Sequence, residues 1–314
     1  MEQVIANGLF SGAEYALIAL GLTLIFGLMN VLNFAHGQMF VLGALFAYTV
    51  FNHIVELGWF SGAVPWLGNI LTFGIALIAT LLFLAIVGAL VEKFLFRTVV
   101  KRSSRDESTM LLAAATAFLL DSVLPMKHVF GELSHSLPSL IEGNFTIESP
   151  WFSDSAFSMP LSKIFIGGLA LVLIAGFMAF MQYSKPGRAM RALAQDKIAA
   201  QLMGVHLDRF TMIGFALGAM LAGGIGALIV TITNIGPTAG SSFSVKAFIM
   251  VMIGGAGVVG GAIAGGFVLG MLESIMPTLL APYDMANLSD LIIFAALMIF
   301  LSFRPQGLMG KPWG

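Results

Sequence analysis

The chain has 314 residues, of which 58% are hydrophobic and only 10% charged, with a formal net charge of −1. Several apolar runs of about 18 residues or more exclude a soluble globular fold and predict an all-α polytopic membrane protein, one transmembrane domain over residues 1–314 surrounded by membrane lipid, with no nucleic-acid partner. The absence of cysteine excludes a disulfide framework, a thiolate metal site and a cysteine nucleophile.

In chain order, hydrophobic segments are predicted at 4–29, 37–58, 67–96, 109–124, 163–182, 210–233, 245–280 and 288–303, eight in all. Glu2 and the lack of an early Lys or Arg argue against a cleavable signal peptide. Glu14, near one end of the first block, either lines a mouth or reaches the interface. The apolar block from Tyr15 to Phe51 would be roughly 55 Å long as one straight helix, too long for a hydrocarbon core about 30 Å thick. It must break, and the polar stretch Asn30-Val-Leu-Asn-Phe-Ala-His-Gly-Gln38 marks the place. Asn30, Asn33, His36 and Gln38 are costly in lipid unless they face protein or a wet cavity, so with Gly37 they are candidates for a translocation pathway. A lone His beside two Asn residues also fits a hydrogen-bonded structural role for His36.

A second break is expected at Gly254 to Gly261. Phe40-Val-Leu-Gly43 recurs as Phe267-Val-Leu-Gly270, each copy following a Gly-containing interruption. Broken helices at corresponding places in two halves point to a midplane transport site, which adds Gly254, Gly255 and Gly257 to the candidate pathway. Gly255, Gly257 and Gly260 also satisfy G-x-G-x-x-G, but the dinucleotide reading fails because no strand and no soluble βαβ unit flanks them.

Basic residues set the orientation. Lys93, Arg97, Lys101, Arg102 and Arg105 flank the third connection, Lys185, Arg188, Arg191, Lys197 and Arg209 fill the fifth, and Arg304 and Lys311 follow the last segment. Twelve of the 15 Lys and Arg residues thus share one side, which the positive-inside rule makes cytoplasmic. Lys127, Lys163 and Lys246 remain for the other. The block 245–280 is expected to enter from outside, break near mid-depth and return, and the first block likewise, with an external N-terminus and a cytoplasmic C-terminus. The connection 125–162, carrying Glu132, Glu142, Glu148 and Asp154, is read as an ordered external loop, either a partner surface or a cover over helix ends. The cytoplasmic stretch 184–209 opens with Pro186-Gly187 and predicts a short amphipathic helix outside the membrane with Met190, Leu193, Ala194, Leu202 and Met203 as apolar positions. It either rests on headgroups or docks a cytoplasmic subunit through the small residues Ala199, Ala200 and Gly204.

Four motifs in order carry a resemblance. They are Asn33-Phe-Ala-His-Gly37, Gly187 to Gly204 with Arg188-Ala-Met-Arg-Ala192 and Ala199-Ala200, the Gly254-Gly255 break, and Phe303-Arg-Pro-Gln-Gly-Leu308. Over nearly the whole chain the sequence resembles the permease subunit of branched-chain amino acid ABC importers, the LivH type. The resemblance implies a bacterial inner-membrane importer with two cytoplasmic ABC ATPase subunits, a LivM-type second permease or a second copy, and an extracytoplasmic substrate-binding protein. It implies that ATP is bound by the partner subunits, with no cofactor in this chain and no enzymatic role of its own. It places the ATPase-coupling residues at Arg188, Arg191, Asp196, Ala199, Ala200 and Gly204. Ile198 stands where coupling helices of such importers typically carry Glu, and Gln38 also stands where a Glu is usual. Related urea permeases have Asn-Met-Ala-His-Gly at the break, so Phe34 leans toward amino acids.

An ion-coupled secondary transporter remains the alternative from another class; it would want carboxylates near mid-depth, whereas Asp121 and Glu273 fall near the outer ends of their segments. The partition of basic residues generates the first test. A reporter fused after Trp313 is expected to be active only in the form that works inside the cell, and an exported-only signal would overturn the segment map.

Overall fold

The computed structural model describes residues 2–60, 62, 64–102, 106–147 and 157–310. Arg105, Glu148, Asp154 and Lys311 lie outside the described residues. Twelve α-helices among the described residues carry the fold: α1 Glu2–Met29, α2 His36–Glu56, α3 Pro65–Val91, α4 Arg97–Arg102, α5 Asp106–Val123, α6 Leu161–Tyr183, α7 Lys185–Gln195, α8 Lys197–Leu202, α9 Leu207–Ile229, α10 Gly240–Gly254, α11 Val259–Leu280 and α12 Ser289–Phe303. Among the described residues, 7 helices are long and apolar enough to cross a membrane, so the chain is a multi-pass, all-α membrane protein. The eighth expected segment is α5, whose 18 residues include Asp106, Glu107 and Asp121. One turn of π-helix over Glu92–Phe96 joins α3 to α4, so helix continues to Arg102, past the expected end at 96. The 125–162 connection contains a two-stranded antiparallel pair, β1 Asn144–Ile147 with β2 Phe157–Pro160, in register Asn144 to Pro160.

α1 is the axis of the bundle, because it is apolar on every side and packs against α6, α7, α9, α10 and α11. In a low-dielectric bundle without a hydrophobic drive between helices, close backbone approach supplies the packing, and small residues permit it. Gly8 and Gly12 of α1 lie against Met271 and Phe267 of α11, and Gly266 and Gly270 lie against Ala16 and Gly12 in return. Gly214 and Gly218 of α9 receive Leu28 and Ile25 of α1, and Gly261 and Gly265 receive the backbone of α10. The glycine pairs spaced four residues apart, Gly8/Gly12, Gly214/Gly218, Gly261/Gly265 and Gly266/Gly270, therefore all lie at helix interfaces.

α7 and α8 mark one end of the bundle. There α3 and α4 reach α9: Arg97 forms an ion pair with Glu92 at 2.6 Å and donates to the Asp208 carbonyl at 2.7 Å, while Lys101 pairs with Asp208 at 2.5 Å. Thr211 adds a hydrogen bond to Glu92 at 3.0 Å, so this buried carboxylate is fully engaged. The start of α1 lies at the opposite end, where Gln3 donates to the Ser158 carbonyl of β2 at 2.8 Å.

The two breaks differ in depth. α11 has 22 residues, about 33 Å of helix, so the α10–α11 break sits at the α7/α8 end, not at the mid-depth expected from sequence. A Cβ on Gly27, near the end of α1, would lie 3.6 Å from Gly257 and 3.7 Å from Ala194 of α7. The Phe303-to-Leu308 motif explains how this break is held. Leu308 and Met309 donate their N–H groups to the Ile253 and Gly254 carbonyls at 2.7 and 3.0 Å. These carbonyls end α10 and would otherwise be orphaned. Gly255 and Gly257, at φ of 108° and 79°, adopt backbone open mainly to glycine.

The α1–α11 contact yields the second test. At Gly270 any side chain would run into the Gly12 backbone. Gly270→Leu is therefore expected to destabilise the detergent-solubilised protein by about 3 kcal/mol or more through overpacking, read as a fall in unfolding midpoint. Gly168→Leu, at a position with no neighbour within 4 Å, is expected to leave the midpoint unchanged.

Candidate functional site

α2 begins inside the bundle. After α1 ends at Met29, Asn30 takes the left-handed conformation at φ 59° and turns the chain; residues 31–35 then climb back beside α1. Asn33 Oδ1 accepts from the Ala35 N–H at 3.1 Å, and the His36 Nε2–H donates to the Ile18 carbonyl at 3.0 Å. His36 lies against Gly21 and is fully buried. The structural role weighed for His36 is thus present in its bond to α1.

α10 holds this start from the other side. Ser244 Oγ accepts from the Gly37 N–H at 2.9 Å and donates to the Phe34 carbonyl at 2.7 Å. One hydroxyl so satisfies both a donor and an acceptor that the break leaves without helical partners. Gln38 is fully buried, its amide pressed on Gly240 with the Asp121 carboxylate of α5 nearby. Phe40 and Phe243 pack with ring centroids 4.0 Å apart. Hence Asn33, His36, Gly37 and Gln38 gather at the junction of α1, α2 and α10, whereas Asn30 is exposed beside the α7/α8 end. Gly257 is brought close to the end of α1, while Gly254 lies against Gly261 and Gly255 against Gly310, so the second break does not join His36 and Gln38.

Beyond Phe243, at the end opposite α7 and α8, a cleft of about 520 Å³ opens between α1, α6, α9 and α10, lined by Glu14, Tyr15, Lys163, Ile229, Ile232 and Phe243 among others. On its α11 side Lys246 pairs with Glu273 at 2.8 Å, and Tyr15 hydrogen-bonds Glu273. The pairing of Lys246 with Glu273 joins α10 to α11, a long-range contact that sequence order conceals.

At the α7/α8 end the expected single helix is two. Asp196 takes extended backbone and its Oδ1 accepts from Ile198 and Ala199 N–H at 2.9 and 3.0 Å, capping a new helix. Arg188 and Arg191 donate to the Tyr183 and Gln182 carbonyls at 2.7 and 3.4 Å, satisfying the end of α6. Met190 and Leu193 turn into the bundle, fixing α7 on it. Ala200 is buried, 5% exposed, and so faces its own chain. Gly204 stands open at φ 87°, on the rim of a groove of about 360 Å³ with Gln201, Val205 and His206. The outward surface is instead Ile198, Leu202 and Met203, exposed by 73%, 83% and 85%. Their spacing at i, i+4 and i+5 was the signal that could have found them. Among the described residues no group of three His, Asp or Glu could hold a metal ion.

The chain matches the family described as branched-chain amino acid transport system / permease component over residues 4–301. It is 29% identical to the high-affinity branched-chain amino acid transport system permease protein LivH of Escherichia coli (strain K12), over 99% of this chain and 96% of that protein. It is 28% identical to the corresponding permease BraD of Pseudomonas aeruginosa, with the same coverage of 99% and 96%. The permease LivM of Salmonella typhimurium is 25% identical over 94% of this chain and 67% of its own length.

The junction generates the third test, for which the cysteine-free chain is suited. Cysteine replacing the exposed Asn30 is expected to react readily with a small water-soluble thiol reagent. Asn33→Cys, at a site 5% exposed, is expected to react slowly at rest and faster under ATP turnover in the assembled transporter. An Asn33→Cys protein inert in every state, with Asn30→Cys reactive, would take Asn33 off the pathway.

Proposed function

The chain belongs to the branched-chain amino acid transport system permease family, and we propose that it is one permease subunit of an ABC importer carrying branched-chain or other hydrophobic amino acids across the bacterial cytoplasmic membrane. The observation that carries the reading is a polar half-helix start, His36 to Gln38, held inside the bundle between a wide cleft on one side and exposed Asn30 on the other. Unwound polar backbone inside a membrane protein is tolerated where it is enclosed by protein or lines a path. The path runs from the cleft past Phe243 and Phe40 to the 30–38 segment, with Gly254, Gly255 and Gly257 flanking its inner end.

Orientation follows the charges: the α7/α8 end is basic and faces the cytoplasm, and both the N-terminus and the 125–162 connection face outward, where a substrate-binding protein docks. Energy enters by contact, because the sequence contains no phosphate-binding loop. Two cytoplasmic ATPase subunits serve the complex, one seated on Ile198, Leu202 and Met203 beside Gly204, with Ala199 at the edge. Arg188, Arg191, Asp196 and Ala200 fix these residues to the bundle. A LivM-type subunit or a second copy completes the pathway. Glu92 and Glu273 are each paired with a cation, which leaves Glu14 and Asp121, the latter beside buried Gln38 and not at the outer end expected from sequence, as the carboxylates an ion-coupled mechanism would use.

The test is uptake by proteoliposomes holding the full transporter and its binding protein. Leucine is expected to accumulate only with ATP on the ATPase side, and to do so without an ion gradient. Accumulation driven by a gradient alone, or uptake of urea in place of leucine, would overturn the reading. Leu202→Asp changes a side chain outside the core and should fold normally, yet should weaken docking by roughly 2 kcal/mol or more. The ATPase is expected to be lost on purification together with uptake; retention of both would move the contact elsewhere.

A further inference from the structure

Resting on that reading, we infer that the cleft between α1, α6, α9 and α10 is a substrate site for a zwitterionic aliphatic amino acid, with Glu14 taking the α-ammonium, Lys163 the α-carboxylate, and Ile229, Ile232 and Phe243 the side chain. The volume of about 520 Å³ falls in the range of small-ligand sites.

The charged groups in the cleft and those behind its Tyr15 wall are unequal in their partners. Lys246, Glu273 and Tyr15 satisfy one another on the α11 side. Glu14 does not share in this: it is 6% exposed, and its Oε1 is buried without a hydrogen-bond partner. A buried carboxylate oxygen left unpaired is costly, and a structure keeps one where a ligand cation or water can supply the missing donors. Lys163 is close enough to interact with Glu14 electrostatically but forms no ion pair with it, donating to Asn7 Oδ1 at 3.0 Å. An ammonium has three donors, so Lys163 keeps capacity for a carboxylate. Two opposite charges on one cleft, each incompletely partnered, match the two ends of a zwitterion.

The walls choose among zwitterions. Ile229 and Ile232 of the α9 end and Phe243 of α10 line the same space, and Phe243 rests on Phe40, four residues into α2. An aliphatic side chain would be buried there, whereas a third charge would find no counter-ion. Urea, neutral and without an aliphatic part, uses neither the charge pair nor the wall. The contact of Phe243 with Phe40 also sets the site directly over the junction through which the substrate passes.

The test measures occupancy and transport separately in the assembled transporter. Ser139→Cys places a thiol on the cleft wall, labelled from outside by a charged methanethiosulfonate. Leucine is expected to slow labelling roughly tenfold, and Glu14→Gln, which preserves shape, to remove most of that protection, since charge-assisted hydrogen bonds are worth about a factor of ten or more. Isoamylamine and 4-methylpentanoate, each lacking one charge of leucine, are expected to protect poorly. Equal protection in Glu14→Gln, or by either analogue, would overturn the site. Leucine uptake by the wild-type transporter without any protection would also overturn it while leaving the importer reading intact; absence of ATP-driven leucine uptake in the wild type would sink both.

Discussion

A single hydroxyl decides whether this bundle can contain its own polar break. The Gly37 N–H is buried at the start of α2 with the Phe34 carbonyl close by, and a buried group of this kind costs on the order of 1–3 kcal/mol if unpaired. Ser244 satisfies both at once, and to do so α10 must start beside the start of α2, deep in the bundle. That requirement accounts for the short α10, for Gly240 against Gln38, and for the packing of Phe243 on Phe40. It also fixes where α10 must end. With 15 residues it reaches the α7/α8 end, where the tail after α12 is needed to satisfy its last carbonyls.

The arrangement is firm in some places and lightly held in others, and this distribution suits transport. The α1–α11 and α2–α9 contacts are backbone against backbone through Gly12, Gly270, Gly43 and Gly223, with no room for a side chain. By contrast the junction at 33–38 depends on a few hydrogen bonds, and the tail seats on the α10–α11 break through two. Interfaces of the first kind move as rigid units, whereas contacts of the second kind can exchange partners at small cost. The Arg97, Glu92, Thr211 and Asp208 network ties α3 to α9 beside α8, so displacement of α8 by a docked subunit would be felt by both long helices.

Much of this was legible in the sequence because membrane burial leaves strong traces. Length against bilayer thickness required the break near Asn30–Gln38, and the recurrence of Phe40-Val-Leu-Gly43 as Phe267-Val-Leu-Gly270 after a Gly-containing interruption marked the one at Gly254–Gly261. Three things were not legible. The depth of the second break depends on α11 taking its full length outward from Val259, and an apolar run with a glycine break does not say at which end of the path it lies. Ala200 turns inward and Ile198, Leu202 and Met203 outward because the Asp196 cap resets the helical phase; read as one continuous helix, the stretch gives the wrong face. The cleft unites Glu14, Lys163 and Phe243 from three helices, and the ambiguity over Glu14, mouth or interface, was resolved only by its burial.

Hydrogen exchange at the junction tests the central claim most directly. In the assembled transporter at rest, the Gly37 amide and its neighbours in 33–38 are expected to exchange slowly, as bonded and buried groups do. During ATP-driven leucine transport the clasp must open, and exchange there should accelerate while the α1–α11 interface stays protected. Undiminished protection of 33–38 throughout sustained uptake would show that the substrate takes another route.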